Sequence, residues 1–406
     1  MYKILPATWI IAGVLFPVYL YLTPEHGHTY DMACWSEWMG IIADKGLANC
    51  YTGAINYLPG HLYEFKFLSL FFPSKESLMA HTFVLKYLTL IFDFSGALLL
   101  ASLSQKKIIQ TGLLLSVILN ISALHNTMLW GQFDAVFSFF AFASILAAVR
   151  NRIRVAAILF VISLNFKFQA ILFLPLLFLV CFYQAMFRWN WKKFLWGSIV
   201  VLSLQALILL PWILAGTTKG VLDVLKSLSG TYTFISLNAG NVWQLMLPGD
   251  LRWTGDENSG FGLTFKLWGL IMAMSALGLT LFPLLRAIIL KWKKKAVPVP
   301  MEAIFAMGSL SVMSFFYFNT QMHERYTFPA FLFIAAYCYF TRRWWIYALF
   351  SIAYFLNNEK ALDFFHLNIK SSWFDFSFAS KIYLLVMLML IVPLLFQNKK
   401  NRPETL

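Results

Sequence analysis

Residues 301–343 read MEAIFAMGSLSVMSFFYFNTQMHERYTFPAFLFIAAYCYFTRR. Two apolar runs, 301 to 318 and 326 to 341, flank the polar stretch NTQMHERYTFP, and Arg342 and Arg343 follow the second run at once. A helix crosses a hydrocarbon core of roughly 30 Å with about 20 apolar residues, so the stretch predicts a hairpin of two membrane crossings. Basic residues collect on the cytoplasmic side of such crossings. The two arginines therefore put the turn carrying His323, Glu324 and Arg325 on the outer side.

The same pattern runs through the whole chain. Of 406 residues, 60% are hydrophobic and 12% charged, against about half and a quarter in a soluble domain. The apolar runs are continuous rather than alternating, which excludes a β-barrel. The first, from Trp9 to Leu22, follows a single Lys and has no small-residue cleavage site, so it is expected to be a retained helix. The net charge of +14 lies in clusters just outside the runs: Lys106 and Lys107; Arg150, Arg152 and Arg154; Arg188, Lys192 and Lys193; Lys291 and Lys293 to Lys295; Arg342 and Arg343; and Lys399, Lys400 and Arg402. This spacing fits the positive-inside pattern and not a nucleic-acid surface.

The expected class is an all-α polytopic membrane protein with about twelve spans and both termini cytoplasmic. The spans fall at 9 to 22, 79 to 103, 108 to 124, 133 to 149, 155 to 166, 168 to 185, 194 to 214, 262 to 290, 301 to 318, 326 to 341, 344 to 356 and 377 to 396. Around Asn165 to Gln169 polar residues interrupt the membrane stretch, so two short helices are expected to meet in a protein-lined cavity. Three long outer segments, 23 to about 78, 215 to about 261 and 357 to about 376, are too rich in aromatic residues to be disordered. Residues 1–406 read as one membrane domain, without a linker or short repeat. Cys34 and Cys50 share the first outer loop, where a disulfide is allowed and two free thiols are the alternative. Cys181 and Cys338 lie within spans and read as packing residues.

Ionisable groups at the outer ends of the spans are the candidates for chemistry, because burial there is costly. In HGHTYDMACWSEWMGIIADKGL, Met32, Trp35, Trp38, Met39 and Ile42 recur at helical spacing, which predicts an interfacial helix with its Trp rings at headgroup level. Asp31 at its start is either a helix cap or a general base, while Glu37 and Asp44 fall on the solvated side. NYLPGHLYEF adds Tyr57, Pro59, His61 and Tyr63, as a substrate-facing turn or as a re-entrant loop with interfacial rings. LWGQFDA places Trp130, Gln132 and Asp134 between the third and fourth spans, with ordinary capping as the alternative. In NFKFQ, Lys167 needs an anionic partner, either Asp134 or Asp93 or a phosphate. At MHERYTFP, Arg325 suits bidentate phosphate binding, and a Glu324–Arg325 surface pair is a weak competitor because sequence neighbours rarely face each other. No Walker A loop, GxGxxG turn, HExxH or CxxC occurs, and no paired carboxylate motif for a divalent ion, so no cofactor or metal is expected.

Taken together, DMACWSEW with NYLPGHLY, LWGQFDA, NFKFQAILFLPLL, SLNAGNVW and MHERYTFP resemble the GT-C superfamily of integral membrane glycosyltransferases. The likeness is to bacterial mannosyl- and glucosyltransferase-like members related to the Alg glucosyltransferases of the endoplasmic reticulum, and it runs from the first outer loop to the tenth span. Phe168 and Leu58 stand where many members have Pro. The resemblance implies a GT-C-like bundle and an inverting transfer from a polyprenyl-phosphate-linked sugar to a glycan or glycolipid acceptor. The site would face the periplasm of a bacterial inner membrane. It also implies Asp31 as catalytic base, Arg325, Lys167 and His323 near the donor phosphate, and Asn238, Asn241 and Trp243 in a loop lining the site; Tyr57, His61, Gln132, Asp134 and Glu324 complete the candidate substrate-binding residues. Membrane lipids are the surrounding partner. The rival readings are a transporter or flippase of lipid-linked saccharides, an acyltransferase with His323 as base, and a non-catalytic scaffold.

Overall fold

The computed structural model describes residues 2–186, 191–227, 232–260, 262–295, 298–367 and 374–396. Arg188, Lys399, Lys400 and Arg402 of the basic clusters lie outside the described residues, as does the side chain of Lys193. Each of the twelve expected apolar runs is helical. The first half comprises α1 (Pro6–Leu22), α2 (Thr29–Lys45), α3 (Pro59–Leu68), α4 (Lys75–Ala80), α5 (Val84–Ala101), α6 (Lys107–Ile118), α7 (Ile121–Leu124), α8 (Asp134–Val149), α9 (Ile153–Phe166) and α10 (Leu174–Ala185). The second half comprises α11 (Trp191–Leu214), α12 (Thr218–Ser227), α13 (Trp243–Met246), α14 (Phe265–Trp292), α15 (Met301–Phe318), α16 (Ala330–Thr341), α17 (Trp344–Leu362) and α18 (Phe376–Leu395).

Six of these stretches are long and apolar enough to cross a membrane by themselves: Val84–Ala101, Phe168–Ala185, Leu195–Leu214, Phe265–Trp292, Met301–Phe318 and Phe376–Leu395. A seventh arises if the bent pair Lys107–Ile118 and Ile121–Trp130 counts as one. The bend of 43° has a local cause. The Asn120 side chain accepts from the N–H groups of Ser122 and Ala123, which ends α6 and restarts the helix as α7. The restarted helix then widens into a π-helical turn, His125–Trp130. The 12-residue α16 rises only about 18 Å, but nine of its residues are buried, so it is the inner post of the bundle and touches α5, α6, α8, α15 and α17. Among the outer posts, α11 is nearly unpacked, with 6% of its apolar window buried.

Three expectations are corrected. First, the Trp rings of α2 are not free to meet headgroups. Trp35 and Trp38 are 2% and 4% exposed and pack on Tyr57, Phe65 and Phe133, because α3, α4 and the start of α8 supply a protein partner for its apolar face. Second, Pro59 opens α3 as its first helical residue, so the PGH stretch is a helix start rather than a free turn. Third, α17 runs six residues past the expected span end and carries Asn357, Asn358 and Glu359 as buried helical residues. Glu37 and Asp44 are exposed, as expected, and Cys34 and Cys50 are unbonded. Four two-residue strands qualify the all-α class: β1 (Ser236–Leu237) pairs in parallel with β4 (Met322–His323), and β2 (Ser259–Gly260) pairs with β3 (Leu263–Thr264).

Candidate functional site

Helix ends from separate parts of the chain meet at one pole of the bundle. Asp31 is the third residue of α2. The His28 ring, not Asp31, caps that helix, accepting from the Asp31 N–H at 3.4 Å. The capping reading of Asp31 is therefore excluded, and its carboxylate is turned to the loop before α8. Asp31 Oδ2 accepts from Trp130 Nε1 at 2.7 Å and from the Gln132 side-chain amide. Two glycines permit this approach. Gly131 adopts φ +95°, which aims Trp130 and Gln132 at one acceptor, and a Cβ on Gly27 would sit 2.6 Å from the Trp130 carbonyl oxygen. Lys86, buried in α5, donates to the carbonyls of Pro24, His26 and Met128 at 2.9, 2.6 and 2.8 Å and so fastens the strand before Asp31 to the π-helical turn.

Asp134 is the first residue of α8, and it pairs with Lys167. Lys167 sits in extended backbone between α9 and the 3-10 turn Phe168–Phe173, which frees its side chain to reach across. Of the partners considered for it, Asp134 holds it and Asp93 does not. The Asn126 amide donates to Asp134 Oδ2 at 3.3 Å, and Arg325 Nε lies 4.0 Å from the same oxygen. The Arg325 guanidinium stacks within 5.5 Å of the Trp130 ring. It also pairs with Glu324, Nη1 to Oε1 at 2.5 Å, with both side chains buried. This corrects the expectation that sequence neighbours would not pair. The turn after β4 is not helical, so adjacent side chains converge on one side of it.

The segment that carries β1 reaches the site through its backbone. β1 pairs with β4, and Asn238, at φ +62°, bridges His323. Asn357, missed in the sequence, ties the two segments together. Its Oδ1 accepts from the Gly240 N–H at 2.5 Å, and its Nδ2 donates to the Glu324 carbonyl at 2.7 Å. Asn241 is fully buried with neither side-chain polar atom partnered. Trp243 faces away: its indole donates to the Phe318 carbonyl at 3.0 Å and packs on Phe265 as a peg of a separate apolar core. His61 is also set back, bonded to Glu64 at 2.7 Å and packed on Phe133 and Tyr57. The cluster is thus Asp31, Gln132, Asp134, Lys167, His323, Glu324 and Arg325, with Tyr57 close enough to feel the charges of Arg325, Asp31 and Asp134.

Missed in the sequence besides Asn357 were Asn126, Lys86 and the fully buried His125–Glu359 pair at 2.8 Å, which joins the π-helical turn to α17. The polar triplet His125 to Thr127 inside an apolar run was the available signal.

The charges are unevenly matched. Burial alone would raise the Asp31 carboxyl, but the His28 ring 3.4 Å from Oδ2, the Arg325 charge and the Trp130 hydrogen bond outweigh it and hold the group well below the usual carboxylate range. Burial lowers the His323 imidazole despite Glu324 beside it, so at neutral pH this ring is uncharged. Three carboxylates therefore face two cations, and neither cation is free of an acidic partner. Among the described residues, no group of three or more His, Cys, Asp or Glu is spaced to hold a metal ion. No family model matches the sequence, and no curated protein matches it.

Proposed function

We propose that this chain is an inverting glycosyltransferase that moves a monosaccharide from a polyprenyl-phosphate donor to an acceptor hydroxyl at the outer pole of a twelve-span bundle, with both termini cytoplasmic. One observation carries the reading: the Asp31 carboxylate accepts from Trp130 and Gln132, and the Trp130 ring in turn lies against the buried Arg325 guanidinium, at one end of an apolar bundle. A base and an anion-binding cation set side by side are what a displacement at an anomeric carbon requires. Phe168, Leu174 and Phe178, which follow Lys167 in the chain, are exposed apolar side chains. Such a surface suits contact with a lipid tail.

In this mechanism Asp31 takes the proton of the acceptor hydroxyl as that oxygen attacks the anomeric carbon from the face opposite the phosphate. The bond from carbon to phosphate oxygen breaks, and its electron pair leaves on the polyprenyl phosphate. Configuration inverts, and no general acid is needed because the leaving group is already acidic. Arg325 stabilises the departing charge. His323, being neutral, contributes hydrogen bonding rather than charge. The donor phosphate displaces Glu324 from Arg325 and hydrogen-bonds the buried Arg325 Nε, which has the Asp134 carboxylate 4.0 Å away but no hydrogen-bond partner in the resting site.

Asp31→Asn keeps the shape and can still accept from Trp130 and Gln132, yet removes the basicity. The variant is expected to fold, to bind the lipid-linked sugar and to lose about 10² to 10⁴ in transfer rate. Transfer near the wild-type rate overturns the role. A carrier of lipid-linked saccharides is the second reading, favoured by the bent pair of α6 and α7, since interrupted helices recur in transporters.

A further inference from the structure

Helices α17 and α18 pack side by side, and each has one end near the Asp31 pole. Asn357 of α17 holds the Gly240 N–H there, and Ser380 of α18 donates to the Asn241 carbonyl at 2.7 Å. Trp345 lies roughly 18 Å along α17 from Asn357, and Leu388 and Pro393 lie roughly 12 and 20 Å along α18 from Ser380. Between these far ends is an open groove of about 270 Å³, lined by Arg343, Trp345, Leu388, Met389, Val392 and Pro393. Trp345, Leu388 and Val392 are each 48% exposed, so the groove opens on the outside of the bundle.

The two walls differ in chemistry. The α18 wall is hydrocarbon and thioether throughout, whereas the start of α17 brings an exposed arginine and an indole. Of the two arginines in this turn, Arg342 is engaged elsewhere, its guanidinium 5.5 Å from the Tyr339 ring. Arg343 has the Tyr337 phenol as a polar neighbour and pairs with no carboxylate among the described residues. An apolar partner helix would leave that charge unmatched, and inorganic phosphate would leave the α18 wall uncovered. A molecule that is anionic at one end and hydrocarbon at the other matches both. Guanidinium can hold two phosphate oxygens at once, indole rings favour the headgroup boundary, and basic pockets between membrane helices suit anionic head groups. A choline headgroup carries its own cation and so offers Arg343 no net charge.

We propose that this groove binds one anionic phospholipid, with its phosphate on Arg343 and an acyl chain along Leu388 and Val392, at the end of the bundle opposite Asp31. The site stands independently of the transferase reading. Native mass spectrometry tests it on the purified, delipidated full chain, offered equal amounts of phosphatidylglycerol and phosphatidylcholine with identical acyl chains. The first lipid retained by the wild type is expected to be phosphatidylglycerol, by several-fold. Arg343→Gln should bring the two lipids to parity, and Arg342→Gln, which removes the same charge one residue away, should keep the preference. Leu388→Trp, which fills the apolar wall and leaves Arg343 in place, should weaken retention of phosphatidylglycerol several-fold. A wild type without headgroup preference overturns the proposal, as does a preference that survives in Arg343→Gln. Equal losses in the two arginine variants would reduce it to a general effect of net charge, and unchanged retention in Leu388→Trp would remove the groove from it.

Discussion

Arg325 lies among Glu324, Asp134 and Asp31, and its environment sets what can bind there. An anion approaching the guanidinium competes with Glu324, whose carboxylate already occupies Nη1. Glu324→Gln keeps the side-chain volume and weakens that competitor, so on the transferase reading the KM for a polyprenyl-phosphate donor falls several-fold. A KM that rises would mean that Glu324 itself contacts the substrate. Asp31 yields a pH prediction. A carboxylate whose folded pKa is depressed stays ionised above the ordinary value of about 3.9, so the transfer rate should show no acid limb from Asp31 between about pH 5 and 8. The same shift contributes stability that is present above about pH 4 and is lost as pH falls below it, and melting temperatures measured down a pH series check this. Adjacent residues give no sequence signal for a pair such as Glu324 and Arg325, because whether they converge depends on the backbone of the turn. The legible part was the chemistry of the residues and not their partners.

The helices were legible because each long apolar run can satisfy its backbone only as a helix in an apolar surrounding. What covers a helix was less legible. The face of Trp35, Trp38, Met39 and Ile42 reads alike whether it meets lipid or protein, and only the fold shows α3, α4 and Phe133 against it. The β1–β4 pairing, two residues long and separated by more than 80 positions, leaves no periodicity to detect. Lys167 shows an element-level consequence. Its pair with Asp134 fastens the end of α9 to the start of α8, so Lys167→Met should cost about 3 to 5 kcal/mol by leaving a buried charge without its partner. Adding Asp134→Asn should restore part of the loss in a detergent melting experiment. A single variant as stable as wild type would show that Arg325 alone satisfies Asp134.

For the whole molecule, the basic clusters predict orientation, and burial decides where to probe it. Asn241 is fully buried and cannot report on sidedness, whereas Trp253 is 76% exposed in the segment expected outside and Lys293 is exposed in a basic cluster. With Cys34 replaced by Ser, an impermeant thiol reagent on intact cells should label Trp253→Cys and spare Lys293→Cys. The opposite pattern inverts the topology and moves the Asp31 pole to the cytoplasm.

The transferase and carrier readings share this orientation and differ in the fate of the lipid. Purified protein in liposomes, given a polyprenyl-phosphate sugar and a glycan or glycolipid acceptor, separates them when the lipid is recovered and analysed. Transfer predicts stoichiometric release of sugar-free polyprenyl phosphate with a new glycosidic bond of inverted configuration, and loss of both in Asp31→Asn. Recovery of the intact lipid-linked sugar on the opposite leaflet, with no polyprenyl phosphate released, would contradict the transferase and establish a carrier.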